Sequence, residues 1–418
     1  MMLLARSEII AGIDIGTTKV CTLIAEVSEQ GKPTILGVGS HPSKGIRKGV
    51  VVDIASTVLA IQESVRQAQK QAGCEASTFY VGVTGEHIAS LNSSGRIPIT
   101  NPNREITTAD VEKILEAARV IVLPPDRQIL HAIPRTYTID GQEGIRNPAG
   151  MSGTRLEVQC HIVTGATTFL QNVRKCVTNA GYRVQELVLE PLATSLSVLL
   201  PEEKELGVCL VDIGGGTTDL AVFVEGDIYY SAVIPIGGTH VTSDVAYGLT
   251  VALEEAERLK TQSGTALLEQ VSAEEIILVK QMGRDDMRRL RRMALASIIE
   301  PRMQELFELV KEELEKADCW GKIPAGIVVS GGGSQLEGCA EVAEQATGVA
   351  IRIGCPRPVG GIGETLTHPS YATGVGLINY GAQQFKPTAE PAVPPTQSFA
   401  SPSGIQKWIA DWLKRIGF

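Results

Sequence analysis

Two segments repeat one turn: Ile13-Asp14-Ile15-Gly16-Thr17-Thr18-Lys19 near the start, and Val211-Asp212-Ile213-Gly214-Gly215-Gly216-Thr217-Thr218 halfway along. A turn of Asp, Gly and Thr between two strands gathers backbone N–H groups and hydroxyls around one concave point, and such a nest receives phosphate oxygens. A bare carboxylate there would repel phosphate. Asp14 and Asp212 therefore make chemical sense with Mg²⁺ between them and the β- and γ-phosphates of a nucleotide, held mainly through water. Lys19 adds a cation that neutralises phosphate charge. A third segment, Ile327-Val328-Val329-Ser330-Gly331-Gly332-Gly333-Ser334, follows an apolar strand and should enter a helix near Leu336. With no side chains at its three glycines, its backbone can approach a nucleotide closely.

Other chemistries lack their residues. There is no G-x-x-x-x-G-K-[ST] loop, no G-x-G-x-x-G fingerprint and no H-E-x-x-H helix. The six histidines are dispersed, and His87, after Glu86, reads as a surface or capping residue. Eight cysteines lie singly with no C-x-x-C pair, as expected of small buried side chains in a reducing compartment. A net charge of -9 argues against nucleic acid as the partner. Met1 to Ile10 carries Arg6 and Glu8 where a secretion signal needs an unbroken apolar stretch, so no export is expected. Glu190 and Pro191 interrupt the most apolar interior run, Glu186 to Leu200, which rules that run out as a spanning helix.

The elements that must position these turns also repeat. Val20 to Val27, a turn at Ser28 to Gly31 and Ile35 to Val38 match Leu220 to Val224, a turn at Glu225 to Asp227 and Ile228 to Val233. Each half thus opens with a three-stranded meander, and a helix follows in both: one capped by Asp53, the other after Gly237-Gly238. Between 83 and 165 a lone helix, Ala109 to Val120, with strand-like runs Ile129 to Ile139 and Leu156 to Val163, reads as an inserted α+β subdomain. A helix from Thr167, the strand Val184 to Leu189 and a helix from Pro191 lead to the second half. Ala252 to Leu314 reads as a charged helical stretch whose basic run, Arg284 to Arg292, is a solvated helix face.

This order of segments resembles the actin, hexokinase and DnaK-type ATPase superfamily: phosphate loop one (Asp14 to Lys19), first connecting helix (Glu186 to Leu199), phosphate loop two (Asp212 to Asp219), adenosine loop (Ser330 to Ser334) and second connecting helix (Pro369 to Tyr380). Within it, an insertion on the first lobe ahead of the first connecting helix is similar to the FtsA family of bacterial cell-division proteins. The resemblance implies an α/β, actin-like two-lobed ATPase fold with duplicated ribonuclease H-like lobes. Its divisions are a first-lobe core at 1–82, 166–198 and 370–385, an inserted 1C-type subdomain at 83–165, a second-lobe core at 199–237 and 310–369, and a 2B-type subdomain at 238–309. It further implies Asp14 and Asp212 as the Mg²⁺-linked aspartates and Glu190 as the residue orienting attacking water, with at most slow ATP turnover. Nucleotide contacts follow at Gly16, Thr17, Thr18, Lys19, Gly214, Gly215, Gly216, Thr217, Thr218, Gly331, Gly332, Gly333 and Ser334, with Glu257 and Lys260 on ribose and adenine. Arg302, in Glu300-Pro301-Arg302, resembles the site that receives the carboxyl-terminal peptide of the tubulin-like FtsZ.

Five prolines within 386–403 make a disordered linker. Beyond it, 404–418 sets Ile405, Trp408, Ile409, Trp412, Leu413 and Ile416 on one helical stripe, flanked by Lys407, Lys414 and Arg415. Two of the three tryptophans fall here, as an in-plane helix on an anionic membrane surface demands. The resulting expectation is an ATP- and Mg²⁺-binding protein on the cytoplasmic face of the membrane at the division site. It would polymerise with itself, tether the FtsZ ring and recruit other division proteins. A same-fold small-molecule kinase, a chaperone-like ATPase and a pilus-assembly actin homologue stay open, because fold alone does not separate them.

Overall fold

The computed structural model describes residues 8–101, 103–283 and 286–385. The linker at 386–403 and the membrane stripe at 404–418 lie outside the described residues.

Two mixed sheets are built to one plan. In the first, Glu8–Ile15, Lys19–Val27 and Pro33–Pro42 form an antiparallel meander, and Thr78–Val83 then Arg183–Leu189 add in parallel beside the opening strand. In the second, Val208–Ile213, Thr218–Val224 and Asp227–Ile234 repeat the meander, with Ile327–Ser330 and Ile351–Ile353 added in parallel. Val208–Ile213 is buried throughout, as is Glu8–Ile15 from Ile10 onward. Strands covered on both faces read as continuous apolar runs, which is why an aspartate ending each run stands out in the sequence.

The helix after the first meander, Ile54–Ala72, begins where the Asp53 carboxylate accepts from the amides of Ala55 and Ser56. The one after the second is Gly238–Leu249. Both connecting helices start later than the resemblance implies, the first in keeping with the strand Val184 to Leu189 and the helix from Pro191 that the residues themselves predict. Residues 183–189 pair in parallel with Thr78–Val83, so the first runs over Glu190–Val198. Pro369–Tyr371 is a single 3₁₀ turn, and the second runs over Ala372–Gln384. The two cross in backbone contact, since a Cβ on Gly376 would stand 2.0 Å from the Ala193 carbonyl oxygen.

The insertion is a four-stranded sheet ordered Ala89–Pro98, Arg155–Ala166, Arg127–Ile139, Gln142–Ile145, covered by the helix Thr108–Arg119. Thr107 and Asp110 cap that helix reciprocally. Its own core of Ile97, Ile114, Ala118, Leu156 and Val158 makes it a separate packing unit.

The stretch expected as one charged helix is two, Leu253–Ser263 and Arg292–Lys316, separated by a hairpin of Ile276–Lys280 and Met287–Arg291. The alternation at Ile276–Lys280 buries Ile277 and Val279, and a strand that alternates needs a partner. Of the basic run, Arg284 lies outside the described residues, Arg288, Arg289 and Arg291 face water on the exposed strand, and Arg292 opens the helix. The helix expected near Leu336 begins three residues later: Gly332–Gln335 is a 3₁₀ turn, Gly338 takes a left-handed conformation at φ 78°, and the helix is Cys339–Thr347. Among the described residues no helix is long and apolar enough to cross a membrane.

Candidate functional site

Both meanders aim their first turn into one cleft of about 570 Å³ between the sheets. The turns are superimposable in hydrogen bonding: Gly16 N–H donates to Lys19 O at 3.0 Å and Gly214 N–H to Thr217 O at 2.9 Å. Strand register places Ile15 opposite Val20 and Ile213 opposite Thr218. Lys19 is thus the counterpart of Thr217, and Thr17-Thr18 correspond to Gly215-Gly216. The turns also touch. A Cβ on Gly215 would lie 2.6 Å from Thr18 Cγ2, and one on Gly216 would lie 2.6 Å from Thr17 Oγ1. Any side chain at either glycine would wedge the loops apart.

Four buried carboxylates border the cleft: Asp14, Glu190, Asp212 and Asp219. Burial pushes Asp14 up to about 6, with nearby Lys19 opposing and Asp212 adding to the rise. Burial also raises Asp212, offset by the hydroxyls of Thr194 and Thr373. Asp219 is pushed up to about 7, again chiefly by burial, although the Thr84 hydroxyl donates to it. Glu190 is held well above the usual carboxylate range by burial and then by the charges of Asp14, Asp219 and Asp212, and its Oε1 is buried without a partner. So much like charge around an unpartnered oxygen fits a divalent cation. Among the described residues no three such side chains close on one point as direct ligands, so the donor set suits a cation held through water.

The third loop completes the wall. Gly331 has φ 82°, and a Cβ there would stand 2.3 Å from Asp212 Oδ1, so only glycine leaves that oxygen free. Gly237, Gly238 and Thr239 form a fourth side, with the amides of Gly238 and Thr239 donating to the carbonyls of Gly214 and Gly215 at 2.9 and 2.8 Å.

Comparison with known proteins places this geometry in a family. The chain is 47% identical over 377 residues to the cell division protein FtsA of Pseudomonas aeruginosa, covering 90% of each chain. It is 38% identical over 410 residues to that of Neisseria meningitidis, covering 98% of this chain and 99% of the relative. The chain belongs to the FtsA family of cell-division proteins. The family profile described as cell division protein FtsA matches residues 209–376, and that of the SHS2 domain inserted in FtsA matches 85–164. Among solved structures, the PilM-PilN type IV pilus biogenesis complex aligns with a TM-score of 0.63 at 20% identity, covering 90% of this chain and 99% of that one. MreB5 of Spiroplasma citri bound to ADP aligns at 0.54 and 13%, covering 90% and 99%. These likenesses establish the actin-like fold. FtsA membership, not fold, separates the division role from the kinase, chaperone and pilus alternatives.

Within this FtsA-family chain, Asp14, Gly16, Thr17, Thr18, Lys19, Glu190, Asp212, Gly214, Gly215, Thr217, Glu257, Lys260, Gly331, Gly332 and Gly333 all line the cleft. Lys19 does not point away as an edge residue would: its ammonium lies 4.3 Å from the Tyr371 ring centroid. Lys260 donates to Glu257 at 2.7 Å and to the Gly238 carbonyl at 3.1 Å, tying two helices at the cleft wall. Two expected hydroxyls turn elsewhere. Thr218 donates to the Ile236 carbonyl and Ser334 to that of Gly331, each at 2.8 Å. Arg302 borders the cleft with its guanidinium held by Asp244 and Glu305.

His87 is neither surface residue nor cap: its ring packs 5.0 Å from that of Phe169, both nitrogens are buried without partners, and burial with nearby Arg127 lowers it to about 4. Six of the cysteines are buried, while Cys74 is half-buried and Cys355 exposed. The carboxylate missed in the sequence is Asp219. Its signal was an acid in an otherwise apolar run, the buried strand Thr218–Val224, where it stands directly opposite Asp212.

Proposed function

We propose that this chain binds Mg·ATP in the cleft, polymerises on the cytoplasmic face of the membrane at the division site and tethers FtsZ there, with later division proteins recruited to the assembly. The observation that carries the nucleotide reading is the contact of the two phosphate loops, Gly215 on Thr18 and Gly216 on Thr17, over a floor of buried carboxylates. Mg·ATP, when bound, would supply the scissile phosphoanhydride, and its Mg²⁺ the positive charge that lets these acids ionise together. The amides of both turns receive phosphate oxygens, and Lys19 neutralises their charge. Asp14 and Asp212 hold the cation's water shell. Glu190, with an unpartnered oxygen, orients water toward the phosphate and accepts its proton.

The tail supports attachment by its sequence. Six apolar side chains, each worth about 1.5 to 3 kcal/mol on full burial, work against an ordering cost of roughly 1 kcal/mol for each residue. One tail binds weakly, and many tails along a polymer bind durably. Sedimentation with anionic vesicles tests this, comparing the parent, Trp408→Glu with Trp412→Glu, and a chain ending at Lys386. The parent should pellet more with Mg·ATP than without, while both variants stay in solution yet still bind ATP. Parent-like sedimentation of the double variant would reject the anchor, and equal sedimentation of the parent with and without Mg·ATP would reject nucleotide-controlled assembly.

A further inference from the structure

Of the two connecting helices, the second packs on the first sheet, where Leu377 lies against Gly12 and Leu23 against Gly374, while the end of the first packs on the second sheet, Val198 and Leu199 beside Val208, Leu210 and Phe223. Their close crossing at Gly376 and Ala193 brings Thr194 and Thr373 side by side beneath Asp212, which belongs to the second sheet. Thr194 Oγ1 donates to Asp212 Oδ2 at 2.6 Å. Thr373 Oγ1 lies 3.3 Å from the same oxygen and 3.0 Å from Thr194 Oγ1. All three residues are buried, Thr194 completely.

Each hydroxyl has one proton to give. Thr194 spends its proton on Asp212, so its lone pairs are open to Thr373, whose own proton goes either to Thr194 or directly to the carboxylate. Both arrangements end on Oδ2. The other oxygen, Oδ1, lies in the space that a Cβ on Gly331 would fill. Fixing Oδ2 therefore fixes the plane of the carboxylate and leaves Oδ1 beside the glycine loop at the cleft wall. Among the described residues no hydroxyl holds Asp14 in this way.

We propose that Thr194 and Thr373 are positioning residues that aim Asp212 at the cation's water shell, making cation affinity depend on the seating of both connecting helices against the second lobe. This rests on the Mg·ATP reading above. Hydroxyls behind a cation-binding carboxylate orient it and strengthen its hold, and losing such a partner typically weakens metal affinity about 10- to 100-fold.

The test is equilibrium binding of a fluorescent ATP analogue to the full chain, titrated with Mg²⁺, with thermal melting of each variant alongside. Thr194→Val should raise the Mg²⁺ concentration for half-maximal effect roughly ten-fold while leaving metal-free nucleotide affinity unchanged. Thr373→Val, which removes the longer contact, should act in the same direction more weakly and is the variant to read if Thr194→Val does not fold. Thr194→Ser, which keeps the hydroxyl, should restore the parent's midpoint. Parent-like midpoints in both valine variants, with the Mg²⁺ response lost in Asp212→Asn, would overturn the proposal alone. A loss that serine does not rescue would overturn it too, since packing would then be the cause. An unchanged Mg²⁺ response in Asp212→Asn would overturn the underlying Mg·ATP reading as well.

Discussion

Asp212 and Asp219 stand directly opposite each other across the antiparallel strands that carry the second phosphate loop, whereas Asp14, in the matching place on the first, faces Cys21. The duplication is therefore asymmetric where charge matters most. Cross-strand neighbours of like charge destabilise a sheet, and here both are buried. The second lobe accepts this strain beside the cleft, and a bound cation would relieve it.

One consequence is a pH-dependent stability of the nucleotide-free protein. Asp219 is raised from an ordinary 3.8 to about 7, so between those values the folded protein holds a proton that the unfolded chain has released. Its stabilising effect is complete below about 4 and is lost as pH rises through 7, at most ~1.4 kcal/mol for each unit of the shift. Asp219→Asn removes that loss. Its melting temperature should exceed the parent's at pH 8, with the gap closing toward pH 5. A gap that is constant between these pH values would show that Asp219 does not titrate in that range.

The seam between the inserted subdomain and the second lobe should respond with the opposite sign. His161, fully buried, sits between Asn92 Oδ1 and Ser231 Oγ, each at 3.0 Å, with Nδ1–H donating to Asn92 and Nε2 accepting from Ser231. Burial, then Arg135 and His131, lower it from 6.5 to about 4. A depressed histidine contributes stability that is present above 6.5 and lost as pH falls through 4, here by no more than about 3.5 kcal/mol. His161→Gln should flatten the decline in denaturant-measured stability between pH 7 and pH 4.5. His131 and His87 shift the same way, so part of the slope should survive. Identical slopes in parent and variant would remove His161 from the account.

What the sequence disclosed follows from locality. Asp, Gly and Thr within one turn are neighbours in the chain, so both phosphate loops were visible, as were the meanders around them and the insertion between them. Thr17-Thr18 and Thr217-Thr218 are alike in type yet are not counterparts, because the hydrogen-bond register sets Thr17-Thr18 against Gly215-Gly216. Thr84, Thr194 and Thr373 were invisible: each reaches its carboxylate only through tertiary packing, over separations of 135, 18 and 161 residues. The hairpin before Arg292 was hidden because its arginines face water, and exposed charge carries no period of its own.

If Arg302 receives the partner's terminal peptide, docking there can be separated from internal structure. Its Nε donates to Asp244 at 2.6 Å and its Nη1 donates to Glu305, so the helices Gly238–Leu249 and Arg292–Lys316 are tied through one guanidinium. An acidic FtsZ-type peptide docking here must compete with Asp244 for that group. Arg302→Glu should abolish docking, but it also sets a third carboxylate beside Asp244 and Glu305, so by itself it does not tell contact from distortion. Asp244→Asn does. If the peptide binds the guanidinium, releasing it from Asp244 should strengthen docking by about 1 kcal/mol, roughly five-fold in affinity, because a half-exposed ion pair of this kind is worth no more than that. If the pair matters only by holding the helices together, Asp244→Asn should weaken docking as Arg302→Glu does. Titration of the acidic terminal peptide against the parent and both variants decides between them, and weakened binding to Asp244→Asn would take Arg302 out of the docking surface.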